Sequence, residues 1–197
     1  MGRRPGFDTA EVIATARDLY WANGFDGVSV ADVERATGLS RSSVYHAFGS
    51  MRGLFDAAVT DYLDTIVRPR LRGLTADDVA PSALDRYLRG LATAISMMGV
   101  DDVPAGCLLV GATATSLGAD ATVRQVIADY RDELFTAIRA GLLAAHPGTD
   151  DAVIDRRADI VVGVVIGAMA LARTGPEQAS SMLTAAADEF ATVNSRR

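Results

Sequence analysis

The chain has 197 residues, 49% of them hydrophobic, with 25 acidic against 19 basic side chains, a net charge of -6 and a single cysteine. That length supports one or two domains with a substantial core, and a lone cysteine excludes an internal disulfide. The acid excess excludes a generally basic surface, so any binding to phosphates must rest on local positive charge, for which Arg3, Arg4, Arg41 and Arg52 are the candidates.

In chain order, Arg3 and Arg4 form a short arm ahead of Pro5-Gly6 that either reaches a minor groove or is simply disordered, disorder in the free protein being the plainer expectation. Asp8 then reads as the N-cap of a first helix, with Glu11 at the capping-box position and an apolar face of Val12, Ile13, Ala16, Leu19 and Tyr20. Asn23-Gly24 stops it, and Phe25 and Val28 plug a three-helix core. Ser29 caps a second helix with Asp32 three residues on, Val30, Val33 and Ala36 or Thr37 fall on one face, and Gly38 ends it. Ser40 caps a third helix in which Leu39 (in the turn), Val44, Ala47 and Phe48 face the core, leaving Arg41, Ser42, Ser43, Tyr45 and His46 outward.

Two short helices joined by a glycine turn, the second presenting polar side chains, read as a helix-turn-helix. Arg41 and Ser42 sit at its N-terminal end, where unpaired N–H groups and the helix dipole attract an anion. Arginine binds guanine O6 and N7 bidentately, serine hydroxyls serve bases or phosphates, and the tips of Tyr45 and His46 donate to backbone oxygens. The bland reading of the same segment is a cap-rich helical hairpin inside an ordinary bundle.

The order Gly24-Phe25, Ser29, Gly38-Leu39-Ser40 and Tyr45-His46-Ala47-Phe48 resembles the TetR family of bacterial transcriptional regulators. Several motifs at family spacing over the first quarter to third of the chain are more specific than any one helix-turn-helix signature. The resemblance implies an all-α fold of about nine helices, with a helix-turn-helix DNA-binding domain over 1–52 and a helical effector-binding and dimerisation domain over 53–197. It implies DNA contact through Ser29, Ser40, Arg41, Ser42, Ser43, Tyr45, His46 and Arg52. One departure is Ser50-Met51-Arg52, where the family often has Ser-Lys-Glu, so Arg52 or the backbone N–H groups there stand in for the lysine contact to phosphate. Met1 to Phe55 holds six arginines against six acids, so modest non-specific affinity with strong salt dependence is expected.

Beyond the head, a helix from about Met51 to Leu71 carries Phe55, Val59, Tyr62, Leu63 and Ile66 as its apolar positions, with Pro69 bending or ending it. Leu74 to Pro81 reads as a loop, Ser82 to Met98 as an amphipathic helix through Leu84, Leu88, Leu91, Ala92 and Ile95, and Gly99 to Pro104 as a turn. Helices follow over Cys107 to Leu117 and Ala121 to His146, closed by Pro147-Gly148, then over Asp151 to Arg173 and Pro176 to Val193. The helix beginning at Asp151 is apolar nearly all round, so it either fills the centre of the body or meets a second chain.

The resemblance implies a homodimer through these last two helices, binding a palindromic double-stranded operator, and repression as the commoner sign. It also implies a pocket among the body helices, with candidate lining Tyr62, Ile66, Leu88, Ile95, Met98, Leu109, Thr113, Leu117, Ile127, Tyr130, Val165 and Met169. Few charges lie on these faces, so the small-molecule effector is expected to be mainly hydrophobic, its few polar groups met by Thr113, Ser96 or Tyr130. Some TetR-like sensors of oxidants or electrophiles carry a cysteine in a Gly-Cys-Leu setting like Gly106-Cys107-Leu108, where a helix start favours the reactive thiolate; buried ballast is the plainer reading.

Both histidines, His46 and His146, stand isolated, without metal-ligand spacing, a nucleophile–base pair or a glycine-rich phosphate loop. No enzyme activity, metal or cofactor is therefore expected. The longest apolar run, Ile160 to Ala172, is 13 residues, short of the roughly 20 that cross a bilayer, and no signal-like segment opens the sequence, so a cytoplasmic protein with no membrane partner is expected. The competing class is an all-helical ligand- or protein-binding module whose helix-turn-helix contacts another protein.

Overall fold

The computed structural model describes residues 8–97 and 106–191, and within them every regular element is helical. Arg3, Arg4 and Met98, and the expected turn over Gly99 to Pro104, lie outside the described residues. Nine helices run in order among those described: α1 (Thr9–Asn23), α2 (Val30–Thr37), α3 (Arg41–Phe48), α4 (Met51–Tyr62, continued through Leu63–Val67 and Arg68–Leu71), α5 (Ala83–Met97), α6 (Leu108–Ala112), α7 (Ala121–Ala145), α8 (Asp151–Leu171) and α9 (Pro176–Ala186, continued through Ala187–Ala191). This all-α arrangement matches the expected class.

The head is built by cap chemistry. Ser29 and Asp32 close a reciprocal capping box on α2, Ser40 caps α3 by accepting from Ser43 N, and Gly38 ends α2 with φ +70°, a left-handed conformation that side chains rarely adopt. The α1 box does not form: Asp8 caps alone, accepting from Ala10 N at 2.9 Å. Val12, Ala16, Tyr20, Val33, Val44 and Leu54 are buried, and so is Trp21, which the helical pattern did not mark. Ala47 faces solvent, because the single turn around Val44 already fills the space beneath this eight-residue helix.

Helix α4 ties head to body. It packs along α1, held by Tyr20 Oη donating to Met51 O at 3.1 Å and by Arg17 reaching Asp61 at 2.7 Å and Thr65 at 3.1 Å. Over Leu63–Val67 the helix widens into a π turn before continuing to Leu71. Pro69 accounts for this: it offers no N–H to the carbonyl four residues back and its ring crowds that carbonyl, and the wider turn relieves both. The proline therefore deforms the helix without ending it.

The body packs α5 on α9, and α8 on both α7 and α9. The helix expected over Cys107 to Leu117 is broken: α6 stops at Ala112 and a 3-10 turn covers Ser116–Ala119. Thr113 and Thr115 donate their hydroxyls to Val110 O and Ala112 O, both at 2.7 Å, and Thr115 Oγ1 also accepts from Leu117 N, so local hydroxyl bonds win over the helical ladder. No helix among the described residues is long and apolar enough to cross a membrane.

Candidate nucleic-acid interface

On α3, Arg41, Ser42, Tyr45 and His46 form one exposed face, while Val44 is fully buried beneath them and fixes the helix's rotation. Residues three and four apart share a helix face, which is why 41/45 and 42/46 stand together. The Arg41 guanidinium lies 5.4 Å from the centre of the Tyr45 ring, a cation–π contact that extends both side chains in one direction. No carboxylate pairs with Arg41 among the described residues, so its donor fork is available.

The remaining expected contacts fall elsewhere. Ser40 Oγ lies 2.9 Å from Ser42 Oγ and 3.0 Å from Ser43 Oγ, and half-buried Ser43 turns toward this cap. Ser29 Oγ donates to Asp32 at 2.5 Å. These two serines hold helices in place. The amides at the start of α3 are also in use: Arg41 N donates to Glu34 at 2.6 Å and Ser43 N to Ser40, so Glu34 stands where a phosphate was expected. Glu34 was missed because its contact spans the turn between two helices.

Arg52, expected at a phosphate, meets two carboxylates in this structure. It pairs with Asp56 at 2.8 Å and Asp120 at 3.0 Å, joining the start of α4 to the N-cap of α7. Two further clasps cross the same junction. Asp26 accepts from Ser116 N at 2.7 Å and from Ser116 Oγ at 2.5 Å, and Arg173 donates to Ala22 O at 2.5 Å and Trp21 O at 2.6 Å, covering carbonyls at the end of α1.

The hydrogen bond from Arg52, with those from the Val123 and Thr122 amides, holds the Asp120 carboxyl down at about 2, and Ser116 likewise lowers Asp26. A free aspartate titrates near 3.9, so the unfolded chain takes up the proton first as pH falls, and the stability contributed above that value is lost between about pH 4 and 2. The urea midpoint should therefore fall from pH 5 to pH 3, and fall less steeply in Asp120→Asn; equal slopes would show that this clasp adds nothing.

The expected pocket residues are only partly brought together. Tyr62, Tyr130, Val165 and Met169 converge with Val67, Arg70, Tyr87 and Leu91 on a cavity of about 20 Å³, room for a single water. Leu88, Ile95, Leu109 and Leu117 are buried core that lines neither this cavity nor the junction cleft, and Ile66 and Ile127 are half-buried away from both. Ser96 bonds outward to Ser180 at 2.9 Å. Thr113 instead lines a cleft of about 540 Å³ at the junction of head and body, among Tyr20, Trp21, Phe25, Phe55, Cys107 and Arg173, and Met169 borders this cleft as well as the cavity.

Cys107 is buried, its thiol donating to Tyr130 Oη at 3.9 Å and lying beside the Tyr62 hydroxyl. Burial, reinforced by this neighbour, pushes the Tyr62 and Tyr130 phenols well above their ordinary range, so both are hydrogen donors at neutral pH. Cys107 is 6% exposed, and the five-residue α6 that follows it is shorter than the helix expected there.

Residues 12–58 match the family described as bacterial regulatory proteins, tetR family. The HTH-type transcriptional repressor BdcR of Escherichia coli K12 is 30% identical over 163 residues, covering 83% of this chain and 80% of that protein. The repressor ComR of the same organism is 30% identical over 120 residues, 60% of this chain and 55% of that protein. Among solved structures, a cysteine mutant of the TetR family regulator CifR, complexed with 26-bp operator DNA, superposes with a TM-score of 0.78 at 25% identity, covering 95% of this chain and 100% of that one. SCO4454 from Streptomyces coelicolor shares the fold with a TM-score of 0.76 at 20% identity, over 92% of this chain and 93% of that one. The chain therefore belongs to the TetR family of bacterial regulatory proteins, which are transcriptional regulators and not enzymes.

Proposed function

We propose that this DNA-binding regulator is a dimeric, cytoplasmic repressor that grips an inverted-repeat operator through the exposed face of α3 and releases it when a small, mainly hydrophobic effector binds the body. The observation that carries the reading is that face itself: Arg41, Ser42, Tyr45 and His46 aligned outward over fully buried Val44, with the arginine's fork unpaired by any carboxylate among the described residues. BdcR and ComR are named repressors, and CifR is held on operator DNA, in support of the same sign and target.

Residues 1–52 serve as the reading head, the remainder as effector and dimerisation body. Dimerisation is supported by α8, which leaves Ile160 52% and Leu171 41% exposed on a helix of small and apolar residues. Two heads about 34–36 Å apart meet successive major grooves, so a change of a few ångströms in their separation breaks register. The effector reading is supported by the donors Tyr62 and Tyr130 at the body cavity, which must enlarge to admit a ligand.

The test is fluorescence anisotropy of the full chain on duplex DNA from its own upstream region, across a salt series with random duplex as competitor. Expected is operator binding much tighter than random, with log affinity falling linearly in log salt at about -0.9 per neutralised phosphate. Binding no tighter than random on this and distal candidate sequences overturns the reading and leaves a protein partner for the helix-turn-helix.

A further inference from the structure

Glu34 sits in the last turn of α2, its carbonyl accepting from Gly38 N at 2.9 Å where the helix stops. An acid there is misplaced for its own helix, whose C-terminal end is the negative pole and favours cations. Across the turn its carboxylate meets the positive pole of α3: Oε1 accepts from Arg41 N, the first amide of that helix, at 2.6 Å. Among the described residues no arginine or histidine forms an ion pair with Glu34, whereas the neighbouring acid Asp32 is paired with Arg35. Half-buried Glu34 therefore brings an uncompensated negative charge to the start of the helix that presents Arg41, Ser42, Tyr45 and His46.

That charge acts differently on the two kinds of DNA contact. Binding to random duplex rests on phosphates, and an unoccupied helix N-terminus is a ready phosphate site. With Glu34 on the amide of Arg41, a phosphate there must displace a carboxylate hydrogen bond and approach a like charge. Base-edge contacts are short and directional, and the side chains beyond the amide make them. The Arg41 guanidinium is unpaired by any carboxylate among the described residues and lies 5.4 Å from the centre of the Tyr45 ring. One residue thus has its amide closed to phosphate and its donor fork open to a base.

We propose that Glu34 is a specificity-determining residue of the reading head: it occupies the anion-attracting end of α3, weakens binding to any duplex through phosphates alone, and so widens the margin between operator and random DNA. A repulsive element against the wrong partner raises discrimination without adding a contact to the right one. Glu34 acts here through Arg41 N, as a positioning residue that touches no base. The inference rests on the reading of α3 as the helix that contacts DNA.

The test is anisotropy of the full chain on random duplex and on duplex from its own upstream region, in parallel salt series, for the parent, Glu34→Gln and Asp78→Asn. Glutamine keeps an acceptor for Arg41 N and removes only the charge. Asp78 is exposed in the loop between α4 and α5, so its substitution removes the same charge elsewhere. Glu34→Gln should tighten random duplex about threefold or more and steepen its log–log salt slope by about 0.9, the value of one further phosphate. The operator should gain less, so the ratio of the two affinities falls, while Asp78→Asn leaves affinities and slopes unchanged. Unchanged random affinity and slope in Glu34→Gln, equal gains on both duplexes, or the same gains in Asp78→Asn overturn the proposal. So does a weakening of both duplexes at unchanged far-UV dichroism, which makes Glu34 a support of the head alone, or a change in the preferred operator base, which makes it a base reader. Each of these outcomes, with a parent that still prefers its operator, leaves the regulator reading standing. A parent that binds both duplexes equally, or neither, overturns that reading and the role of Glu34 together.

Discussion

Phe55→Ala is expected to lower folding stability by about 3–5 kcal/mol, the range for deleting a fully buried phenylalanine ring. Phe55 is 1% exposed and meets Tyr20 and Phe25 edge-on, each with centroids 5.3 Å apart, while Tyr20 and Phe25 stack at 5.9 Å. Such pairs add about 0.5–1.5 kcal/mol to the burial of the rings themselves. The three rings come from α1, the loop after it and the start of α4, so their contact holds the head at its angle to the linking helix. Relaxation into the gap is limited, because α4 is pinned to α1 by Tyr20–Met51 and Arg17–Asp61. Urea unfolding at one fixed protein concentration, read by Trp21 emission and far-UV dichroism together, measures the loss; fixing the concentration matters because dimerisation shifts apparent stability by mass action. A loss below about 1 kcal/mol would mean that the trio does not anchor the head.

What the sequence made legible is what is local in the chain. The Ser29–Asp32 box, the Ser40 cap and the Gly38 stop are decided within four residues, so reading them placed α2 and α3 correctly. Helical periodicity likewise found Val12, Ala16 and Tyr20 on the buried face of α1. The clasps across the junction were not legible, because Arg173 reaches the end of α1 from about 150 positions away and Arg52 finds Asp120 from 68. Read alone, Arg52 beside a helix start resembles a phosphate contact; in the fold, two carboxylates claim it.

The break after α6 was visible in principle. Thr113, Thr115 and Gly118 lie within six residues, and threonine hydroxyls that bond back to local carbonyls compete with a helix; the apolar pattern of Leu108, Leu109 and Ala112 masked this. The pocket was illegible for a different reason. Periodicity marks a side chain as buried without saying whether neighbours fill the space beyond it, and so Leu88, Ile95 and Leu109 read the same as Tyr62 and Met169. Trp21, one position beyond Tyr20, escaped notice because it turns off the head's core face toward Tyr62 in the body.

Arg41→Ala is expected to weaken operator binding by about 1–3 kcal/mol for each half-site, the discrimination carried by one bidentate contact to guanine, or roughly 5–150-fold per head. The backbone amide of Arg41 already serves Glu34, so the substitution removes the fork without freeing a cap, and folding stability should stay within about 0.5 kcal/mol of the parent. Loss of the cation–π contact to Tyr45 adds little at an exposed site. Arg41→Lys separates charge from geometry: a point charge grips phosphate but does not reproduce the planar fork, so it should fail to rescue specificity while restoring the salt slope that Arg41→Ala lowers. Tyr45→Phe supplies the contrast, since a hydroxyl holding a phosphate oxygen weakens operator and random duplex alike. Anisotropy titrations of the three variants on both duplexes decide the matter. If Arg41→Ala and Tyr45→Phe both leave operator affinity unchanged, these two side chains do not carry the contact, and the operator must be gripped by other residues of the head.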